Sequence, residues 1–135
     1  MLLWLLNGDP IAAAATLAIH RAQQTHSLFV SPMSAWEVGV ALGKENPAHR
    51  PNLHGLSPGP WFTSAVSALS AKVPQLNLAI AVEAAEVPAV YGYGDPGDCF
   101  LIATARVRGL ALVTHDSRIL EFAARQPSYL TVIAC

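Results

Sequence analysis

Apolar and polar positions along this chain fall into short blocks, and each block has its own period. Residues 10–24 are alanine-rich with polar residues at helical spacing. They predict a helix, with Asp9 as its cap and Pro10 in a first turn that needs no N–H. Ser27-Leu28-Phe29-Val30 is an apolar run of β type and predicts a strand. Ser31-Pro32-Met33-Ser34 then turns the chain into a helix over 35–44, where Ser34 and Glu37 have the spacing of a capping box. Residues 46–60 contain Pro47, Pro51, Pro58 and Pro60 and predict a loop. Helix resumes over 60–70, with Trp61, Ala65, Ala68 and Leu69 near one face. Residues 76–82 read as a strand and 83–91 as a helix broken at Pro88, with Glu83 and Glu86 in its first turn. Residues 96–108 predict a helix ended by Gly109, and 110–113 a strand. A helix over 117–125 points Ile119, Leu120, Phe122 and Ala123 inward, and 129–134 forms a final strand. Strands alternating with helices predict an α/β domain with a mostly parallel sheet covered on both faces.

The chain is organised around Gly94-Asp95-Pro96-Gly97-Asp98 and the acid that follows the next strand, Asp116 in Thr114-His115-Asp116. Asp95 has the position of a helix cap and Pro96 that of the first helical residue. The plain reading of Asp98 is a charge that complements the helix dipole, and that of Glu37 is the capping box. Asp116 changes the balance. In open α/β sheets ligands bind beyond the carboxyl ends of the strands, where a helix-start acid and a strand-end acid meet. Carboxylates gathered there repel, and they keep their charge best around a cation. Oxygen donors with open positions suit magnesium or manganese.

Composition narrows the classes. With 135 residues, 53% hydrophobic and 13% charged, the chain predicts one domain over 1–135 and excludes disorder. A net charge of −1 gives no basic footprint for bulk nucleic-acid binding, though it leaves room for a nucleic acid gripped through metal. Only nine acids are present, so each one near a strand end carries weight. Cys99 and Cys135 are too few for a disulfide framework or zinc cage. His49 and His54 fit a solvated loop better than a ligand set, and Trp61 fits the core. Leu2-Leu3-Trp4-Leu5-Leu6 predicts a short apolar helix closed by Asn7-Gly8-Asp9-Pro10. It is too short to span a bilayer and lacks signal-peptide flanks, so a cytoplasmic protein without membrane contact is expected.

Three segments carry a family resemblance. Ser31-Pro32-Met33-Ser34-Ala35-Trp36-Glu37, Gly94-Asp95-Pro96-Gly97-Asp98 with Leu101-Ile102-Ala103-Thr104-Ala105, and Leu112-Val113-Thr114-His115-Asp116-Ser117-Arg118-Ile119-Leu120 resemble, in order, the second, third and fourth motifs of the PIN-domain family. Within it they resemble the VapC-type toxin ribonucleases of bacterial toxin–antitoxin pairs. The resemblance implies a three-layer α/β/α fold and a magnesium- or manganese-dependent endoribonuclease acting on RNA. It implies Glu37, Asp98 and Asp116 as metal ligands and catalytic residues, with Asp95 as an outer ligand or only the cap. It implies that Ser31 and Thr114 orient water or the carboxylates. It also implies a homodimer and a small antitoxin that blocks the acidic site.

Two departures stand out. Cys99 takes a position where the family usually has arginine. The family's first strand, central in the sheet and ending in an aspartate, has no counterpart here, because the segment from Leu2 to Pro10 resembles the helix that follows it. Asp9 falls beyond that helix and cannot substitute. Losing a central strand leaves backbone groups unpaired. Either the start codon is assigned downstream of the true one, which the complete later motifs favour, or the chain is a degenerate toxin. As written, it is expected to be truncated and inactive. The alternative function is a non-catalytic PIN remnant that binds an antitoxin or dimerises. A receiver-like phosphoryl-transfer module ranks last, because it wants a lysine at a late strand end and the chain has only Lys44 and Lys72.

Overall fold

A computed structural model describes residues 10–135; the helix expected over 2–6 and the Asp9 cap lie outside the described residues. The elements run α1 (Ala13–Gln24), α2 (Met33–Leu42), a 3-10 turn (Pro47–His49), α3 (Pro58–Ala68), α4 (Leu78–Tyr91), α5 (Pro96–Arg108), β1 (Leu112–Thr114), α6 (Ser117–Arg125) and β2 (Val132–Ala134). β1 and β2 pair in parallel, with Val113 opposite Ile133. α5 packs on β1, while α1 and α6 pack on β2, giving an α/β fold that is rich in helix around a small parallel sheet.

Local chemistry sets most of these boundaries. The Asp95 side chain caps α5 by accepting from the Asp98 N–H, and Gly109 ends the helix in the left-handed region at φ 62°. Asp116 caps α6 in the same way. Pro58 and Pro60 sit in the first turn of α3, so the prolines that predicted a loop start a helix instead.

The segment expected as a strand over 76–82 is the start of α4. The Asn77 side chain accepts from the Ile80 N–H at 3.1 Å, and the following alanines favour helix over strand. α4 also runs through Pro88, because Val87 and Tyr91 are buried on either side of it and hold the last turn in place. Glu83 therefore lies inside a helix rather than in a first turn, and pairs with Arg106 of α5. The capping box of Ser34 and Glu37 does not form: Pro32 holds the cap position of α2, and the Ser31 hydroxyl accepts from the Met33 N–H at 3.2 Å.

Two apolar clusters support the frame. The larger joins α4, α5 and α6 through fully buried Ile80, Val87, Ile102, Ile119 and Phe122. Each such side chain stabilises the fold by roughly 1.5–3 kcal/mol. The smaller packs Val30, Val38, Leu53, Trp61, Phe62 and Ala65.

Among the described residues the sheet is interrupted between these clusters. Phe29 forms a single parallel bridge with Lys72 where a strand over 27–30 was expected. Val30 donates to Lys72 and Lys72 donates to Leu28, each at 2.9 Å, so residues 28 and 30 face Lys72. On β1, Leu112 donates to Thr131 and Thr114 accepts from Cys135, so 112 and 114 face β2. Alternate residues of a parallel strand bond to opposite neighbours. Phe29 and Ser31 on one side, and Val113 on the other, therefore turn their backbone edges toward a gap that none of the described residues fills. A cavity of about 470 Å³ occupies it, lined by 27–31 and 109–116.

Candidate functional site

The polar end of that cavity is built from starts of helices and the end of β1. Asp98 lies in the first turn of α5 and is buried, at 7% exposure. Its Oδ2 accepts from the Tyr91 hydroxyl at 3.0 Å. Tyr91 reaches it because Gly92, at φ 84°, reverses the chain between α4 and α5 in a conformation that L side chains rarely adopt. Asp116 ends the loop after β1. Its Oδ1 accepts from the backbone N–H groups of Arg118 at 2.8 Å and Ile119 at 3.3 Å. Its own N–H donates to Thr114 Oγ1 at 3.1 Å, so Thr114 fixes the backbone that carries this acid.

One cation joins the two acids. Arg118 Nη2 lies 3.5 Å from Asp98 Oδ2 and 3.4 Å from Asp116 Oδ2. Glu37 enters from α2, which packs on α5. Its carboxylate lies against Gly97: a Cβ added there would collide with Glu37 Oε1 and stand 3.1 Å from Asp95 Oδ1. Glycine at 97 is thus what lets α2 bring its acid beside the capped start of α5. Ser31, Glu37, Asp98, Thr114 and Asp116 all line the same cavity. Asp95 itself serves as the cap, accepting from the Asp98 N–H at 3.2 Å.

The electrostatics follow from crowding. Burial pushes the Glu37 carboxyl above its ordinary range, and the charges of Asp98 and Asp95 push it further. Asp98 is also raised, first by burial; the Tyr91 hydrogen bond opposes this, while Asp116 and Asp95 add to it. Asp116 goes the other way. Burial raises it, but the hydrogen bonds from the Arg118 side chain and from the Ile119 and Arg118 backbone outweigh that and lower it. Burial lowers the His115 imidazole. Burial, then the bond to Asp98, raises the Tyr91 phenol, so it stays protonated as a donor.

Hard oxygen donors that already draw in a cation fit magnesium or manganese in kind. In arrangement, no group of three or more His, Cys, Asp or Glu among the described residues stands ready to hold a metal ion. Asp98 and Asp116 meet through Arg118, and Glu37 shares their cavity without closing on them. His54 is exposed and apart from this site.

Two residues of the site escape the sequence reading. Tyr91 carries no signal, since only the left-handed turn at Gly92 brings it onto Asp98. Arg118 does carry one. It lies in the first turn of α6, where a cation opposes the helix dipole, two residues after a strand-end acid that offsets it.

Among the described residues no helix is long and apolar enough to cross a membrane. Comparison with curated proteins finds no match for this chain. Comparison with protein-family profiles matches residues 1–125 to the family described as PIN domain. PIN domains are generally nucleases and typically use divalent metal ions, in keeping with a cluster of carboxylates at the mouth of a cavity. A match over nearly the whole length places this chain in the PIN-domain family.

Proposed function

We propose that this protein is a metal-dependent endoribonuclease of the VapC type, the toxin of a toxin–antitoxin pair. The observation that supports it most is the convergence of Asp98 and Asp116, from different elements, on a single cation at the cavity mouth. In this reading Glu37, Asp98 and Asp116 hold magnesium or manganese. Asp95 caps α5 and adds negative charge from outside the ligand set. When bound, such an ion supplies Lewis-acid charge at the phosphodiester and an activated water. Tyr91 fixes one oxygen of Asp98, Oδ2, through a buried hydrogen bond. Thr114 holds the Asp116 backbone, and Ser31 holds the start of α2 that carries Glu37.

The gap between 28–31 and 111–114 belongs to the same reading. This reading puts a central strand there, and a strand ending in an aspartate at that point brings a fourth carboxylate to the site.

Chelation and mutation test the activity together. RNA cleavage is expected with magnesium, lost with excess chelator, and reduced on the order of a hundredfold in Asp116→Asn. Cleavage that persists in chelator rules out the metal-dependent reading. A small antitoxin is the protein partner, presenting an arginine or lysine to these acids in place of metal charge. Its binding should fall sharply in an Asp98→Ala, Asp116→Ala double variant; unchanged binding removes the acidic site from that interface.

The second reading is a non-catalytic module that binds an antitoxin or dimerises. The absence of a closed three-carboxylate group among the described residues favours it. Folded protein that binds an antitoxin yet cleaves no RNA at any magnesium concentration decides for it.

A further inference from the structure

We propose that Arg118 is a tethered counter-cation that competes with a divalent metal ion for the Asp98–Asp116 pair. Metal loading then requires the guanidinium to swing out. This rests on the metal-dependent reading above.

The contacts of Arg118 are those of a removable partner. Only one of its nitrogens, Nη2, reaches the acids, at 3.5 and 3.4 Å. These distances lie at the long end of hydrogen bonding, and one nitrogen shared by two acids is not the paired fork of a tight arginine–carboxylate bond. Its side chain is 47% exposed, so little packing holds it in place. It also sits in the first turn of α6, where the helix dipole disfavours a cation. The two carboxylates are what offset that position.

Asp98, by contrast, stays where it is when Arg118 leaves. Buried Tyr91 donates to the same Oδ2 at 3.0 Å. The Asp116 carboxylate is likewise kept by two backbone N–H groups. Both acids are thus held by contacts independent of the arginine side chain. One weak contact besides the acids holds the side chain in this pose. The Tyr93 ring centroid lies 5.5 Å from the Arg118 Cζ, near the outer limit of a cation–π contact and worth little at an exposed site. A dication that binds both acids and a guanidinium between them carry like charges at contact range, so the two exclude each other.

The experiment is a manganese titration of the full chain, following free ion by electron paramagnetic resonance. It compares wild type, Arg118→Ala, Arg118→Gln and Arg125→Ala. Arg118→Gln removes the charge while keeping a polar side chain with an amide N–H donor, though a shorter one. Arg125→Ala makes the same charge change at the exposed far end of α6. Both Arg118 variants are expected to bind manganese on the order of tenfold more tightly than wild type, and Arg125→Ala as wild type does. In metal-free buffer the Arg118 variants should melt below wild type, because the acids lose their counter-charge, and manganese should raise their melting points more. Equal affinity in wild type and the Arg118 variants overturns competition while leaving the metal site intact. Weaker binding in the variants overturns it too, and makes Arg118 a helper of loading. If wild type and the Arg118 variants stay folded and none binds manganese, the metal-dependent reading falls and the competition with it.

Discussion

Joining a short apolar strand that ends in aspartate to the N-terminal side of these 135 residues is expected to raise the melting point by about 10 °C. The reason lies in the gap between 28–31 and β1. Phe29, Ser31 and Val113 turn backbone groups toward it, and among the described residues a cavity of about 470 Å³ lies there. A parallel strand laid there pairs with both edges at once. It also covers apolar side chains such as Leu28 and Val113, at about 25 cal/mol for each Å² removed from water. A gain of ~3 kcal/mol for a domain of this size corresponds to a shift of that order. The aspartate at its end comes to lie beside Asp98 and Asp116, so magnesium-dependent cleavage of RNA should rise on the order of tenfold or more. Thermal melts and nuclease assays of the two forms, with and without magnesium, check both effects. Equal stability means that the gap does not take a strand. A more stable form that remains inactive supports the non-catalytic module.

The parts of this structure legible in the sequence are those fixed by near neighbours. Asp95, Pro96 and Gly109 bracket α5, and Asp116 begins α6, because a cap and a stop act within one turn. The same locality places Asp98 and Asp116 at the sheet edge. Segment 76–82 is different. It is apolar without a clear period, and such runs do not separate strand from helix. Asn77 was the deciding residue, through a side-chain bond to the Ile80 N–H. Segment 27–30 has the composition of a strand, yet its only described strand partner is Lys72, so it forms one bridge rather than a ladder. Strand character needs neighbours that the segment does not itself encode.

Site geometry was legible at the level of which elements meet. The finer arrangement was not. Glu37 approaches α5 only because Gly97 has no side chain, and a glycine between two acids in Gly94-Asp95-Pro96-Gly97-Asp98 looks like turn chemistry. The contact of Tyr91 with Asp98 depends on the left-handed backbone at Gly92. That Arg118 bridges two acids depends on the register between α5 and the loop after β1, which tertiary packing sets.

Asp98→Asn should separate stability from activity. Burial raises the Asp98 carboxyl above its ordinary 3.8, with Asp116 and Asp95 adding to the effect against the Tyr91 bond. A group raised in the folded state contributes stability below its unfolded value and loses it as pH climbs through the folded value. At neutral pH the charge on Asp98 therefore works against the metal-free fold. Asparagine removes that charge, keeps nearly the same shape, and still offers an oxygen to the Tyr91 hydroxyl. In chelator at neutral pH the variant is expected to melt a few degrees above wild type. The difference should shrink as pH falls through the acid range, where wild type protonates Asp98 itself. Asp116 has the opposite sign: its lowered carboxyl supports the fold above the ordinary value and loses that support as pH falls through the folded one. That loss is common to both proteins and cancels in the comparison, apart from the contact through Arg118. Magnesium should reverse the order, stabilising wild type more than the variant, and RNA cleavage by the variant should drop on the order of a hundredfold or more. Calorimetric melts across pH, with and without magnesium, read the first three effects. A variant that melts below wild type in chelator at neutral pH, or one that gains as much from magnesium, is incompatible with Asp98 as a strained metal ligand.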